Sequence, residues 1–257
     1  MKLHHQYYIN EQSQLPTLVL IHGLFGSLSN LGMLARAFMP THSVLQIDVR
    51  NHGESAHAEA MNYALMAQDV LETLDALGID QCSLVGHSMG GKIAMAIIAQ
   101  APMRVQQAVI LDMSPFAYKN GHHHEIFKAL FAVEQANVSS RTDAAKIMRE
   151  FIDEEAVIQF LLKSFHQGHW RFNLAAIYAE YIEILNWGIM SPQAHHLLFI
   201  RGGDSDYVAH LEQQNAVYAH FPNAKIHTVI GASHWLHAEK TTQVVGLMQE
   251  YFLGKSA

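Results

Sequence analysis

The chain has 257 residues, of which 50% are hydrophobic, and a formal net charge of −7 at pH 7. This length and apolar content can bury one large core, as a single α/β domain with an insertion. The negative charge, with no basic cluster, argues against nucleic acid as a partner. No apolar run reaches membrane-spanning length, the first residues lack a secretory signal, and the single cysteine cannot form an intrachain disulfide, so we expect a cytoplasmic protein.

The first part of the chain predicts strands that alternate with helices. Apolar, partly β-branched runs predict strands near 3–10, 17–22, 43–49, 81–85 and 104–111. Helical patterns lie between them, at about 29–38, 62–77 and 91–101. Alternation of this kind is typical of a mostly parallel, doubly wound sheet.

The middle of the chain, between residues 114 and 192, shows no strand pattern and is dominated by helical stretches. We predict helices at about 144–151, 153–165 and 172–187, forming a helical cap (115–191) inserted between core segments 1–114 and 192–257. Three successive histidines, His122, His123 and His124, lie early in this cap. Three adjacent residues of a helix cannot converge on one metal ion, so we interpret them as a solvated loop rather than a metal site.

The last part of the chain returns to the alternating pattern. Strands are predicted at 195–201 and 225–230, with a helix at about 207–220 between them. A final helix is predicted from about His237 to Phe252. These elements complete the core sheet on the far side of the insertion.

The pentapeptide Gly-His-Ser-Met-Gly at residues 86–90 lies between a predicted strand and a predicted helix. Gly-x-Ser-x-Gly in this context is typical of a nucleophile elbow, a tight turn that exposes the serine hydroxyl. Ser88 is therefore the candidate nucleophile. A chance match in a glycine–serine loop is the alternative, and the flanking strand and helix disfavour it.

A serine nucleophile needs a base that takes its proton. Among 19 histidines, His234 is selected by its position on the loop that follows the last predicted strand. The neighbouring His237 is expected to begin the final helix and to point to solvent.

An oxyanion-binding loop is predicted after the strand at 17–22, where the chain reads His-Gly-Leu. The backbone N–H groups of Leu24 and Met89 are expected to hold the negative charge that develops on an acyl oxygen. We interpret His22 as a residue that hydrogen-bonds this loop and fixes its shape.

Four motifs together resemble the α/β-hydrolase superfamily. They are Leu-Ile-His-Gly at 20–23, Gln-Ile-Asp-Val-Arg-Asn-His-Gly-Glu-Ser at 46–55, Gly-His-Ser-Met-Gly-Gly-Lys at 86–92 and Gly-Ala-Ser-His-Trp at 231–235. Within that superfamily the chain is similar to the YbfF-like esterase/thioesterase branch of bacteria. The resemblance implies an α/β-hydrolase fold with a serine–histidine–acid triad and covers nearly the whole chain outside the middle segment.

The acid of the triad has three candidates. The usual loop, after the strand at 195–201, carries Asp204 and Asp206, but the customary acid position falls on Ser205. The YbfF-like branch takes its acid from the end of the preceding core strand, which here is Asp112. The resemblance therefore favours Asp112, followed by Asp206 and then Asp204.

The sequence thus predicts a serine hydrolase of carboxylic esters, extended to acyl-CoA thioesters, that uses no metal and no organic cofactor. A C–C bond hydrolase or lyase on the same triad is one alternative, although the cap contains few of the arginines that such enzymes use as anchors. A non-catalytic binding protein is the other, and such proteins commonly lack the serine or the histidine. The expected partner is a small-molecule ester or thioester. The natural substrate, the acyl-chain length and the oligomeric state have no signature in the sequence.

Overall fold

The computed structural model describes residues 1–119, 123–188 and 190–254. The strands are β1 (His5–Tyr8), β2 (Thr17–Ile21), β3 (Val44–Ile47), β4 (Cys82–His87), β5 (Val105–Leu111), β6 (Phe165–His166), β7 (His169–Trp170), β8 (Leu197–Gly202) and β9 (Lys225–Val229). The α-helices are α1 (Gly32–Phe38), α2 (Tyr63–Ala76), α3 (Met89–Gln100), α4 (His124–Ala136), α5 (Arg141–Met148), α6 (Glu155–Leu162), α7 (Leu174–Ala179), α8 (Tyr181–Leu185), α9 (Leu211–His220), α10 (Leu236–Glu239) and α11 (Thr241–Leu253). Short 3₁₀ turns lie at Leu28–Leu31 and Pro102–Arg104.

Seven strands form one sheet in the order β1-β3-β2-β4-β5-β8-β9. The edge strand β1 pairs with β3 antiparallel, and every other pair in this sheet is parallel. Every residue of β2 and β4 is buried, as expected for a parallel sheet that is covered on both faces. The predicted doubly wound α/β fold is confirmed.

The two faces of the sheet belong to two hydrophobic clusters. Along β2, Val19 and Ile21 lie in one cluster, and Leu18 and Leu20 lie in the other, because successive side chains of a strand point to opposite faces. Helices α2 and α3 pack on the first face, and α1 and α11 pack on the second.

Parallel pairing also gathers the loops that follow the strands. The carboxyl ends of β2, β4, β5, β8 and β9 lie at the same edge of the sheet, where ligands bind in open α/β folds. Residues 22–26, Ser88, Asp112 and His234 all belong to loops or turns at this edge. The fold thereby brings together residues that are far apart in the sequence.

The insertion, residues 115–191, contains α4 to α8 and a feature that the sequence did not predict. Strands β6 and β7 form an antiparallel hairpin. Its two turn residues, Gln167 and Gly168, both have positive φ (49° and 86°), the backbone geometry of a tight two-residue turn. The prediction of no strand here was wrong, because two-residue strands are too short to show a period of two.

Two predicted helices are each split in two. The helix predicted at 172–187 is α7 followed by α8, with Glu180 at the junction. The helix predicted from His237 is α10 followed by α11, interrupted at Lys240, whose ψ is 41°. Apolar periodicity runs through both junctions, so the pattern alone could not show where the chain changes direction.

The insertion shares a hydrophobic cluster with one face of the sheet. Its buried residues, including Phe127, Leu161 and Phe172, lie in the same hydrophobic cluster as Val19 and Ile21 of β2. The division of the chain into a cap and a core stays a prediction. Within the described residues, no helix has the length and apolarity needed to span a membrane.

The elbow between β4 and α3 depends on the absence of side chains at two glycines. A Cβ at Gly86 would collide with the backbone of Gly90, and one at Gly90 would collide with the backbone carbonyls of Ile21 and His22. The start of α3 therefore lies against the end of β2 with no room for a methyl group.

We expect Gly90→Ala to lower the free energy of unfolding by about 3 kcal/mol or more, because the collision is with backbone atoms that cannot move aside. Denaturant unfolding followed by circular dichroism measures this change. Gly246→Ala is the matched control, since a Cβ at this position in α11 meets no atom within 4 Å. It should gain about 0.5–1 kcal/mol from helix propensity. Equal stability of the two variants would contradict the close approach.

Candidate active site

Ser88 occupies a strained turn at the beginning of α3. It is the N-cap of that helix, with φ 54° and ψ −122°, a combination that non-glycine residues rarely adopt. Its N–H donates to the carbonyl of Leu111 (3.0 Å), and its own carbonyl accepts from Gly91 N–H (2.8 Å). These bonds fix the backbone while the half-buried side chain lines a pocket.

The imidazole of His234 contacts a fully buried carboxylate. Its Nδ1 lies 2.7 Å from Oδ2 of Asp112, whose side chain has no solvent exposure. Because Nδ1–H donates to this carboxylate, Nε2 is the free acceptor of the neutral ring. Ser88 and His234 line the same pocket.

Asp112 accepts hydrogen bonds from the end of β8, from the loop that follows β8 and from the loop that follows β9. Besides His234, its Oδ1 accepts from the N–H of Gly202 (2.8 Å), and its Oδ2 accepts a hydrogen bond from the hydroxyl of Ser205. Asp112 itself has a φ of 50° at the end of β5. The carboxylate is therefore held in one orientation by donors at the end of β8 and in the loops that follow β8 and β9.

The other two candidate acids lie elsewhere. Asp204 and Asp206 are exposed, and within the described residues neither carboxylate is hydrogen-bonded to His234. Ser205, between them, is 6% exposed and points inward to Asp112. The sequence identified Ser205 as the customary acid position but predicted no role for it, since a hydroxyl that supports an acid leaves no pattern of its own.

A pocket with a volume of about 40 Å³ lies beside Ser88. The core contributes Ser88, His234 and residues 23–25. The insertion contributes apolar side chains, namely Ile126, Val157, Phe160 and Leu161. The ring of Phe160 packs on Trp235 of the core with 4.3 Å between centroids, which closes part of the pocket wall. The wall that the insertion contributes is therefore largely apolar.

The predicted oxyanion loop is shaped by two buried histidines. His22 is hydrogen-bonded through Nδ1 to the carbonyl of Gly23 (2.7 Å), and its Nε2 accepts from Val49 N–H (3.1 Å), so its loop-fixing role is confirmed. His52, whose role the sequence did not predict, accepts the N–H of Phe25 on Nε2 (3.0 Å). Leu24 lies between these fixed points and lines the pocket.

Met89 is the first residue of α3. Its N–H belongs to the first turn, where helix N–H groups have no intrahelical acceptor. The two predicted oxyanion donors therefore lie on loops that flank Ser88, Leu24 after β2 and Met89 at the helix start.

The prediction that His237 points to solvent was wrong. It is 5% exposed, lines the pocket, and lies 4.2 Å from the ring of His87 between centroids. Within the described residues its buried Nδ1 has no hydrogen-bond partner.

The solvated-loop prediction for the histidine triplet was also wrong in part. His123 is half-buried, lines the pocket and is hydrogen-bonded to the Tyr181 hydroxyl (2.6 Å). His124 is exposed at the start of α4, and His122 lies outside the described residues.

Burial keeps several histidines of this region neutral. It lowers the pKa of His52 and of His237 to about 3, aided by the neighbouring rings of His22 and His234 respectively. Burial also lowers the pKa of His87 well below its usual 6.5. The His87 ring donates from Nε2 to the carbonyl of His234 (2.9 Å), so this contact persists with the ring uncharged.

We expect the protein to lose stability in acid between about pH 6.5 and 4. The unfolded chain binds protons on these histidines where the folded chain does not, so stability falls as pH falls below 6.5. Each buried histidine contributes a slope of about 1.4 kcal/mol per pH unit in unfolding free energy. His237→Phe should reduce the slope of unfolding free energy against pH by the contribution of one histidine, about 1.4 kcal/mol per pH unit. His227→Phe, which changes an exposed histidine, should leave the slope unchanged. Urea unfolding at a series of pH values measures both, and equal slopes would contradict the burial argument.

Comparison with known proteins agrees with this fold. A model of the Alpha/beta hydrolase family matches residues 18–247. Esterase YbfF of Escherichia coli (strain K12) is 46% identical over 242 residues, which cover 94% of both proteins. A putative esterase/lipase of Haemophilus influenzae is 41% identical over 261 residues, covering 99% of this chain and 89% of that protein.

A solved structure, the "Marine microorganism esterase", superposes with a TM-score of 0.91 at 30% identity and covers 97% of this chain and 99% of its own. The family matched from residue 18 to 247 includes all four sequence motifs from Leu20 to Trp235. The chain therefore belongs to the alpha/beta hydrolase family, in the branch that includes Esterase YbfF.

Proposed function

We propose that the chain hydrolyses carboxylic esters through an acyl-enzyme on Ser88, with His234 as the base and Asp112 as the acid that orients it. The observation that carries the proposal is the 2.7 Å contact between His234 Nδ1 and Asp112 Oδ2, beside a pocket that Ser88 and His234 share. The names of the esterase relatives add support to the reaction class.

In the first half-reaction, His234 Nε2 accepts the proton of the Ser88 hydroxyl as its oxygen attacks the acyl carbonyl. The negative charge that develops on the carbonyl oxygen is stabilised by the N–H groups of Leu24 and Met89 and by the positive end of the α3 dipole. Asp112 stabilises the imidazolium that forms and keeps the proton on Nδ1.

Collapse of the tetrahedral intermediate transfers the proton from His234 to the leaving alcohol and leaves the acyl group on Ser88. Water then attacks this ester while the same histidine accepts its proton, and His234 returns that proton to the Ser88 oxygen as the acyl carbon–oxygen bond breaks and the carboxylic acid departs. Acyl-CoA thioesters pass through the same acyl-enzyme, because only the leaving atom changes. We include them in the proposed substrate class.

We further propose that residues 115–191 act as a cap that supplies the acyl-binding wall, since Ile126, Val157, Phe160 and Leu161 are apolar and line the pocket. No arginine is among the described residues that line it, which disfavours a C–C bond hydrolase with a charged substrate anchor. A cytoplasmic location fits a chain whose one cysteine, Cys82, is buried in β4.

The proposal is tested with Ser88→Ala. We expect this variant to lose ester turnover by about 10³-fold or more while it keeps its folded structure, because the hydroxyl provides the nucleophile and contributes little packing. Turnover of p-nitrophenyl butyrate gives the activity, and a fluorophosphonate probe should label the wild type once and the variant not at all. Ser139→Ala, at an exposed site in the insertion, is the control and should behave as wild type. If the probe did not label the wild type and the wild type showed no turnover, the esterase proposal would be contradicted.

Substitution of the three aspartates tests the acid. Asp112→Asn should lower kcat by about 10³- to 10⁴-fold, because an amide favours the wrong tautomer of His234. Asp204→Asn and Asp206→Asn should each cost less than about tenfold, since both side chains are exposed. If Asp206→Asn lost most of its activity while Asp112→Asn lost little, the acid would instead be Asp206, in the loop after β8.

A further inference from the structure

Lys92 is a buried cation outside the proposed triad. It lies on α3, four residues after Ser88, and is only 1% exposed. Within the described residues its ammonium forms no ion pair with a carboxylate. Burying a lysine in this way is unfavourable unless other groups replace its water, so its partners identify its role.

The partners of the Lys92 ammonium are backbone carbonyls at the end of the insertion. Nζ donates to the carbonyls of Leu185 and Asn186, both at 2.9 Å. These carbonyls lie at the end of α8, where the last carbonyls of a helix have no intrahelical donor. The preceding carbonyl, of Ile184, accepts from the hydroxyl of Tyr63 on α2 (2.6 Å). Three successive carbonyls of the insertion are therefore bound by side chains of core helices.

A chain of contacts connects Lys92 to the ring of His234 through Tyr118. The ammonium of Lys92 lies 4.9 Å from the centre of the Tyr118 ring, and Tyr118 N–H donates to the carbonyl of Leu185 (3.0 Å). The Tyr118 hydroxyl donates to the backbone carbonyl of Tyr207 (2.7 Å). The Tyr207 ring stacks on His234, with 4.1 Å between centroids and an interplanar angle of 25°.

We propose that Lys92 is a positioning residue, which latches the end of the insertion to the helix that begins at Ser88 and, through Tyr118, holds Tyr207 against His234. An apolar side chain of the same length fills the space but leaves the carbonyls of Leu185 and Asn186 without their donor. The inference rests on the proposed esterase function for its activity readout alone.

The latch is linked to protonation. Burial lowers the pKa of Lys92 to about 7, whereas an exposed lysine titrates near 10.4. Opening of the latch exposes the Lys92 side chain to water. At pH values between these two pKa values, the exposed side chain then takes up a proton. Opening therefore becomes easier as pH falls from about 10 to 7 and changes no further below 7.

Among the described residues, the titratable groups whose rings face the ammonium of Lys92 are two phenols. Tyr63 from α2 and Tyr118 from the segment after β5 face the ammonium, and burial raises the pKa of both phenols above 10. Burial also raises the pKa values of the more distant phenols of Tyr181 and Tyr207. Glu183 on α8 is exposed and forms no ion pair with Lys92 within the described chain.

Hydrogen exchange in Lys92→Met tests the latch without any activity measurement. The amides of residues 181–186 and of Tyr118 become exposed when the latch opens. In the wild type, the equilibrium constant for this opening should fall by up to about tenfold for each unit that the pH rises between 7 and 9, after correction for intrinsic exchange rates. In Lys92→Met the opening should be larger at pH 9 and independent of pH. Lys146→Met, which changes an exposed lysine on α5, should match the wild type. A wild-type pH dependence that persists in Lys92→Met would overturn the proposal.

The activity of the same variant separates positioning from simple stabilisation. Lys92→Met should lower kcat about tenfold with KM within twofold, when rates are normalised to the fraction that the fluorophosphonate labels. A lower Tm with unchanged kcat would assign Lys92 a purely structural role. If wild type and variant both lack turnover, the esterase proposal fails while the exchange result stands.

A milder variant keeps the test available if Lys92→Met does not fold. Tyr63→Phe removes only the donor to the Ile184 carbonyl and leaves Lys92 in place. It should increase opening at residues 181–186 about fivefold and retain the wild-type pH dependence, since one hydrogen bond is lost and the titrating group remains. Unchanged opening in Tyr63→Phe would contradict the latch.

Discussion

The carboxylate of Asp112 joins the loops on which the candidate site depends. It is fully buried at the end of β5 and accepts hydrogen bonds from the N–H of Gly202, the hydroxyl of Ser205 and the ring of His234. A buried carboxylate without such donors costs several kcal/mol, so the loops after β8 and β9 must return to it. The position of His234 is therefore a consequence of satisfying this one charge.

Backbone strain is concentrated around the same edge. Four non-glycine residues in the turns that follow core strands have positive φ, namely Phe25 (62°), Asn51 (64°), Ser88 (54°) and Asp112 (50°). Conformations of this kind cost about 1–3 kcal/mol each and persist only where the surroundings enforce them. Here the enforcement comes from the parallel sheet and from the backbone contact at Gly90, which together fix where each strand ends.

The sequence predicted those parts whose signal is local. The core strands and the elbow at 86–90 were recognisable because periodicity and a short motif carry the information within a few residues. The burial of His237 depends on its packing against His87, which is distant in the sequence, and the hairpin at Phe165–Trp170 depends on two turn residues with positive φ. Neither leaves a periodic pattern. The preference for Asp112 came from resemblance, because both aspartate loops satisfy the same chain order.

The hydrophobic cluster that the insertion shares with the sheet limits how the chain can be altered. Apolar side chains of α4, α6 and α7 pack in one continuous interior with β2 and α3. An exchange of residues 115–191 between relatives would therefore leave mismatched apolar surface on both sides of the junction. Substrate preference and thermal stability are expected to change together in evolution and in engineering, because the side chains that shape the pocket belong to the interior that holds the sheet.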